Sequence, residues 1–295
     1  MNQEILERIK NGRGIFAALD QSGGSTPKAL QQYGIVETEY SNDEEMFTLI
    51  HEMRTRIMKS PVFNSDSILA SILFENTMDR QIDGKFTPDY LLSKGIVPFL
   101  KVDKGLADEE DGVQLMKENN NLESVLKRAV ERHIFGTKMR SVIKEPNREG
   151  IKKIVKQQFE WAKIIISYDL LPIIEPEVSI KAVNKSECEK ILKEEILKEL
   201  ANLSENEKVM FKITLPEVDN EYKEIIENEH TIRVVALSGG YTRTEACKKL
   251  VRNNGIIACF SRAFIENLTK QQTEEEFNNT LGNSITEIYN ASVNK

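Results

Sequence analysis

The chain has 295 residues, 40% of them hydrophobic and 29% charged, with 15 glycines and 8 prolines. This is the profile of a globular chain with apolar residues enough for a sizeable core, and it excludes the disordered and collagen-like classes. A formal net charge of -7 argues against nucleic acid as a partner, because backbone binding calls for a basic surface, but it leaves room for a locally basic pocket.

The N-terminal stretch, M-N-Q-E-I-L-E-R-I-K-N-G-R-G, is amphipathic and charged and lacks the apolar centre of a signal peptide. No window approaches the ~20 apolar residues of a membrane span. A cytoplasmic chain with no membrane partner is therefore expected. Short apolar runs follow in chain order: Gly14–Asp20, Ser67–Glu75, Ile96–Asp103, Ile134–Val142, Leu170–Val178, Val209–Leu215, Ile232–Gly240 and Ile256–Phe264. Each is β-branched or aromatic and apolar on both faces, as strands of a parallel sheet covered on both sides are.

Helical stretches separate them. Ile151, Ile154, Val155, Phe159, Ala162, Ile165 and Ile166 form one stripe. Thr244–Val251 carries a shorter stripe with Cys247, Leu250 and Val251. Thr273 and Glu276 form a capping box ahead of Phe277, Leu281, Ile285 and Ile288. The longest gap, between the first and second runs, holds a loop and helix insertion over Gln31–Glu45. Strand and helix alternating eight times predicts one (β/α)₈ TIM barrel over residues 1–295, with the last helix in its outer layer. An open doubly wound sheet would carry G-x-G-x-x-G after its first strand; here D-Q-S-G-G-S stands there.

The runs end in charge, always at the C-terminal side: Asp20, Glu75, Lys101 with Asp103, Lys138 with Arg140, Glu175 with Glu177, Lys212, and Arg262. Residues two apart on a strand share a face. If those faces point inward, the charges converge at the top of the barrel, where barrel enzymes keep their active sites. The pattern suggests a lysine amine in a crowded cationic pocket, with Lys212 inside V-M-F-K-I-T-L desolvated and its pKa lowered by Lys138 and Arg140. Composition leaves open which of Lys101, Lys138 and Lys212 is the reactive amine.

Two small-residue turns suggest phosphate. Ser238-Gly239-Gly240 follows the seventh run and Arg262 closes the eighth, the usual barrel phosphate position. Ser22-Gly23-Gly24-Ser25-Thr26 follows the first. His51, His133 and His230 are scattered, so no zinc cluster is expected. Cys188, Cys247 and Cys259 show no metal-ligand spacing and read as packing thiols. No cofactor is implied.

Taken in order, G-x-G-I-x-A-A-x-D ending at Asp20, K-V-D-K-G at 101–105, K-x-R at 138–140, P-I-I-E-P-E at 172–177, the run holding Lys212, L-S-G-G at 237–240 and the R-A after Ser261 resemble the class I fructose-bisphosphate aldolases, in their short bacterial form. The resemblance spans nearly the whole chain. It implies Lys212 as the Schiff-base lysine, Glu175 as the acid/base glutamate with Glu177 beside it, and Asp20 as the group that handles the substrate hydroxyl. It implies Lys138 as a second active-site lysine and Lys101 as a substrate-binding one. Ser238, Gly239 and Arg262 match the site for one phosphate of a bisphosphate sugar, and Ser22 and Ser25 contacts near the other.

Three departures stand out. Ala29 occupies a position where longer members carry an arginine, Ser261 replaces a glycine, and the chain closes on A-S-V-N-K rather than a tyrosine, a role not transferred to Tyr289. Oligomeric state is open, a homo-oligomer included. A Schiff-base aldolase for tagatose 1,6-bisphosphate differs by one hydroxyl configuration, and a phosphosugar isomerase barrel would use a glutamate base without a reactive lysine.

Overall fold

A computed structural model describes residues 1–295. Eight parallel strands close into a barrel: β1 (Ile15–Leu19), β2 (Ile68–Leu73), β3 (Val97–Lys101), β4 (Gly136–Ile143), β5 (Leu171–Val178), β6 (Val209–Thr214), β7 (Thr231–Leu237) and β8 (Ile256–Phe260). Each pairs with its neighbours in sequence. β8 returns to β1 through Phe16–Cys259, and β3 meets β4 through Lys101–Lys138.

Helices cover the outside: α1 (Gln3–Asn11), α2 (Thr26–Gln32), α3 (Asp43–Lys59), α4 (Glu75–Asp79), α5 (Thr87–Ser93), α6 (Leu122–Glu131), α7 (Arg148–Ser167), α8 (Lys185–Leu200), α9 (Lys223–Ile226), α10 (Arg243–Val251) and α11 (Glu274–Val293). The capping box at Thr273 and Glu276 starts α11 as the sequence predicts. A second box, Thr242 with Glu245, starts α10 one residue earlier than the stripe indicated. No helix is long and apolar enough to cross a membrane.

Strand pleating sorts the apolar residues into two cores. Ala17, Leu19, Leu100, Met139, Ile174, Phe211 and Ala258 face the helices and join the larger one. Phe16, Ala18, Phe99, Leu171, Ile173, Met210, Ile257 and Cys259 face the axis and form the smaller one. Both are fully shielded, which is why the strands read as unbroken apolar runs.

The axis is stoppered at the N-terminal end of the strands. α1 lies across it and contributes Ile9 to the inner core, with Phe16–Phe99 and Phe99–Phe135 ring contacts above it. Arg233 Nη1 on β7 donates to the carbonyls of Ile9, Lys10 and Gly12 and holds α1 there. Gly136 lets this layer close: a Cβ on it would stand 2.4 Å from Phe99 Cε1 and 2.3 Å from the Leu171 carbonyl.

One sequence expectation is corrected. β2 ends at Leu73, and Glu75 opens α4 rather than closing the strand. The apolar run misleads because Phe74 leaves the ladder and packs on Phe47, ring centroids 5.7 Å apart, at the rim. Glu75 accordingly pairs outward with Lys104 and Arg128, away from the axis.

Candidate active site

The inner face continues upward as charge. Two residues above Ala18 is Asp20, two above Phe99 is Lys101, two above Ile173 is Glu175, and two above Met210 is Lys212. Period-two alternation carries the inner core into polar groups at the C-terminal strand ends, so the expected inward faces are those the fold presents. Asp20, Lys138, Glu175 and Lys212 are each no more than 6% exposed.

These four form one chain of ion pairs. Lys138 Nζ lies 2.7 Å from Asp20 Oδ2 and 2.9 Å from Glu175 Oε2. Glu175 Oε1 in turn lies 3.0 Å from Lys212 Nζ. Two carboxylates and two ammoniums thus alternate across the axis, contributed by β4, β5, β6 and the residue after β1. Burying a charge is costly unless it is paired and hydrogen-bonded, and here each is held by its opposite.

Electrostatics follow that order. Burial alone would raise the carboxyl pKa values, but Lys138 and Lys212 outweigh it, so Asp20 and Glu175 are both held below the ordinary carboxylate range. Burial works to lower Lys138, and Asp20 and Glu175 overcome it, leaving Lys138 firmly protonated.

Lys212 differs from the sequence expectation. Burial pulls its pKa down, yet the Cys259 sulfur and Glu175 more than compensate, and the pKa is raised. The Cys259 thiol is itself pushed up to about 12, mainly by burial, so at neutral pH it is uncharged and Glu175 is the partner that matters. The sequence reading set Lys138 and Arg140 beside Lys212. In the structure Glu175 stands between Lys138 and Lys212, and Arg140 turns to Glu177, Nε to Oε2 2.6 Å.

The remaining predicted residues surround this cluster. Lys101 Nζ donates to Asp103 Oδ1 at 2.5 Å and to its carbonyl at 3.0 Å, and burial lowers its pKa. Asp103 Oδ2 is buried without a hydrogen-bond partner. Ser238 is buried, and Gly239 and Gly240 take φ of 62° and 116°. A Cβ at Gly240 would lie 3.7 Å from Arg262 Nη2, so the turn and the guanidinium are neighbours. The exposed Ser22–Ser25 turn follows Asp20 and is closed on itself: Ser22 N–H donates to Ser25 Oγ at 3.0 Å. Ala29 is a buried residue of α2 and offers no polar side-chain atom, and Tyr289 packs against the outer core within α11.

Sequence reasoning missed Arg54 in α3. Its guanidinium is wholly buried, donating to Thr77 Oγ1 at 2.5 Å and to the Gln21 carbonyl at 2.6 Å. Gln21 passes the link to Ser261 Oγ at 2.8 Å. The ends of β1, β2 and β8 are thereby tied beneath the loops. Burial pulls the Arg54 pKa down to about 9, against the pull of Asp20. The readable signal was a cation on the stripe of Met46, Ile50, Met53 and Ile57, where a helix facing a core normally carries none.

Comparison with known proteins bears on this site. The family model described as fructose-bisphosphate aldolase class-I matches residues 2–220. Among solved structures, the chain is similar to fructose-bisphosphate aldolase from Plasmodium falciparum, in a ternary complex with TRAP and a small-molecule inhibitor. The TM-score is 0.73 at 17% identity, covering 98% of this chain and 94% of that one. At that identity the match speaks for the (β/α)₈ fold.

Proposed function

The chain belongs to the class I fructose-bisphosphate aldolase family, and from that premise we propose that it cleaves fructose 1,6-bisphosphate reversibly to dihydroxyacetone phosphate and glyceraldehyde 3-phosphate through a Schiff base on Lys212, as a step of glycolysis and gluconeogenesis. The observation that carries the reading is Glu175 bridging Lys138 and Lys212 at 2.9 and 3.0 Å. A carboxylate in that position, held anionic at rest by one lysine, can accept a proton from the other.

The resting Lys212 is an ammonium and does not attack a ketone. Transfer of its proton to Glu175 Oε1 frees the amine, which adds to carbon two and gives a carbinolamine. Glu175, now protonated, returns the proton to the carbinolamine hydroxyl; water leaves and the iminium forms. The iminium draws electrons from the bond between carbons three and four. Asp20, kept ionised by Lys138, accepts the proton of the carbon-four hydroxyl, the bond breaks, and glyceraldehyde 3-phosphate departs. Protonation of the enamine and hydrolysis release dihydroxyacetone phosphate and restore Lys212.

Arg262 with the Ser238–Gly240 turn suits one phosphate through charge-assisted and backbone N–H contacts. Lys101, the Ser22–Ser25 turn and the Arg140–Glu177 pair suit the other end of the sugar. Three unpaired, buried cysteines fit a reducing compartment such as the cytoplasm, and the chain is read as one domain.

Borohydride reduction in the presence of dihydroxyacetone phosphate tests the reading. Peptide mapping is expected to find the reduced adduct on Lys212, with cleavage of fructose 1,6-bisphosphate favoured over the tagatose isomer. An adduct on Lys138 or Lys101 would reverse the assignment of the reactive amine.

A further inference from the structure

Gln158 is the one polar residue on the buried stripe of α7, among Ile151, Ile154, Val155, Phe159 and Ala162. It is fully buried, and only half of its amide is used. Oε1 accepts the backbone N–H of Glu175 at 2.9 Å, while Nε2 has no partner. Only the carbonyl end can accept an N–H, so the amide forgoes one bond to make the other. An unpaired buried donor costs free energy, and an aliphatic side chain would pack there without that cost.

Glu175 has reason to need the bond. β5 pairs with β6 only at Ile173–Met210 and Ile174–Phe211, although β5 runs on to Val178 and β6 to Thr214. The β5–β6 ladder parts after Ile174, where Pro176 has no N–H to give, and beyond it only the β4 side of the ladder continues, through Arg140–Glu175. Above the gap Thr214 Oγ1 donates to the Val178 carbonyl at 2.6 Å. Below it stands Gln158, whose neighbour Phe159 packs against Phe211 with ring centroids 6.2 Å apart. Between these two ties the side chains of Glu175 and Lys212 meet at 3.0 Å.

We propose that Gln158 is a positioning residue for Glu175. From the helix layer it holds the Glu175 backbone N–H and so fixes the stretch of backbone, no longer tied to β6, on which the Lys138–Glu175–Lys212 bridge depends. The inference rests on the aldolase reading above. Glu175 contacts two ammoniums with its two oxygens, so a shift of its backbone opens one contact. Losing the Lys138 contact raises the carboxyl pKa and losing the Lys212 contact lengthens the path the proton must cross, while the phosphate contacts stand elsewhere.

The test uses four variants of the full chain. Q158M keeps the side-chain length but has no acceptor of comparable strength. Q158N keeps an amide one methylene too short, Q158E keeps the oxygen, and V155A thins the same helix face without touching a polar group. Q158M and Q158N are expected to lower kcat roughly 10-fold or more, the scale of a displaced catalytic group, with KM changed less than about twofold. The acid limb of their kcat profile should move to higher pH. Q158E should lie closer to the wild type, and V155A should lose stability with kcat and profile intact. Wild-type kcat and profile in Q158M or Q158N would overturn the proposal, as would V155A reproducing their kinetics. A wild-type chain that traps no adduct on Lys212 would remove the aldolase reading and this inference together; normal trapping with unaffected Q158M removes this inference alone.

Discussion

At the scale of single residues, the site is a matter of charge balance. Lys138 touches both carboxylates, so Lys138→Met leaves two anions to share Lys212. Their pKa values must rise, and the acid limb of the kcat profile is expected to move to higher pH, with kcat down by roughly 10²-fold. An unmoved limb would show that neither carboxylate governs the rate. Stability has the same sign. The lowered pKa values of Asp20 and Glu175 contribute stability that is complete above about pH 5 and fades as the pH falls through their folded values. Most of these residues were legible, because charge at the end of an apolar strand is unusual. What was not legible was who stands next to whom. Glu175 between two lysines inverts the expected pKa of Lys212, and only the register Arg140–Glu175 and the splaying of β5 from β6 decide that. Arg54 and Gln158 were readable in kind, as polar residues on apolar stripes, but their partners lie on other elements.

Among the elements, the turn after β7 is the one most sharply constrained. Gly239 holds φ at 62°, and a Cβ there would meet Ile180 Cγ2 at 2.8 Å. Gly239→Val combines a left-handed backbone that β-branched residues avoid with that collision. It is expected to raise KM for the bisphosphate at least about tenfold, on the scale of one lost charge-assisted phosphate contact, with little change in adduct trapping from saturating dihydroxyacetone. A proportionate loss in both would mean the turn shapes the amine pocket instead. All eight strands could be read from their apolar runs, since shielding on both faces leaves a clear pattern. The error at Glu75 arose where the pattern outlasts the ladder: Phe74 is apolar because it packs on Phe47 at the rim, and sequence alone does not separate rim from strand.

For the molecule as a whole, stability and chemistry occupy opposite ends of the barrel. Ile9→Ala removes a fully buried side chain from the stopper and should cost about 2–5 kcal/mol in denaturant unfolding. Its kcat should stay within about twofold of the wild type, since the charged cluster lies at the other end of the strands; a large fall in kcat would mean the floor and the site are coupled. With Ile9, Phe16, Phe99 and Phe135 filling the lower axis, the barrel is closed at that end and the charged cluster can be approached only from the C-terminal ends of the strands. Everything that enters or leaves shares one mouth, so traffic must queue. Under the cleavage proposed on Lys212, the aldehyde fragment, formed farther from the lysine, would have to clear the passage before hydrolytic water reaches it. Release is therefore expected to be ordered, with dihydroxyacetone phosphate inhibiting competitively against the bisphosphate and glyceraldehyde 3-phosphate noncompetitively. Initial-rate product-inhibition patterns would reveal it, and competitive inhibition by both products would mean that a second exit exists.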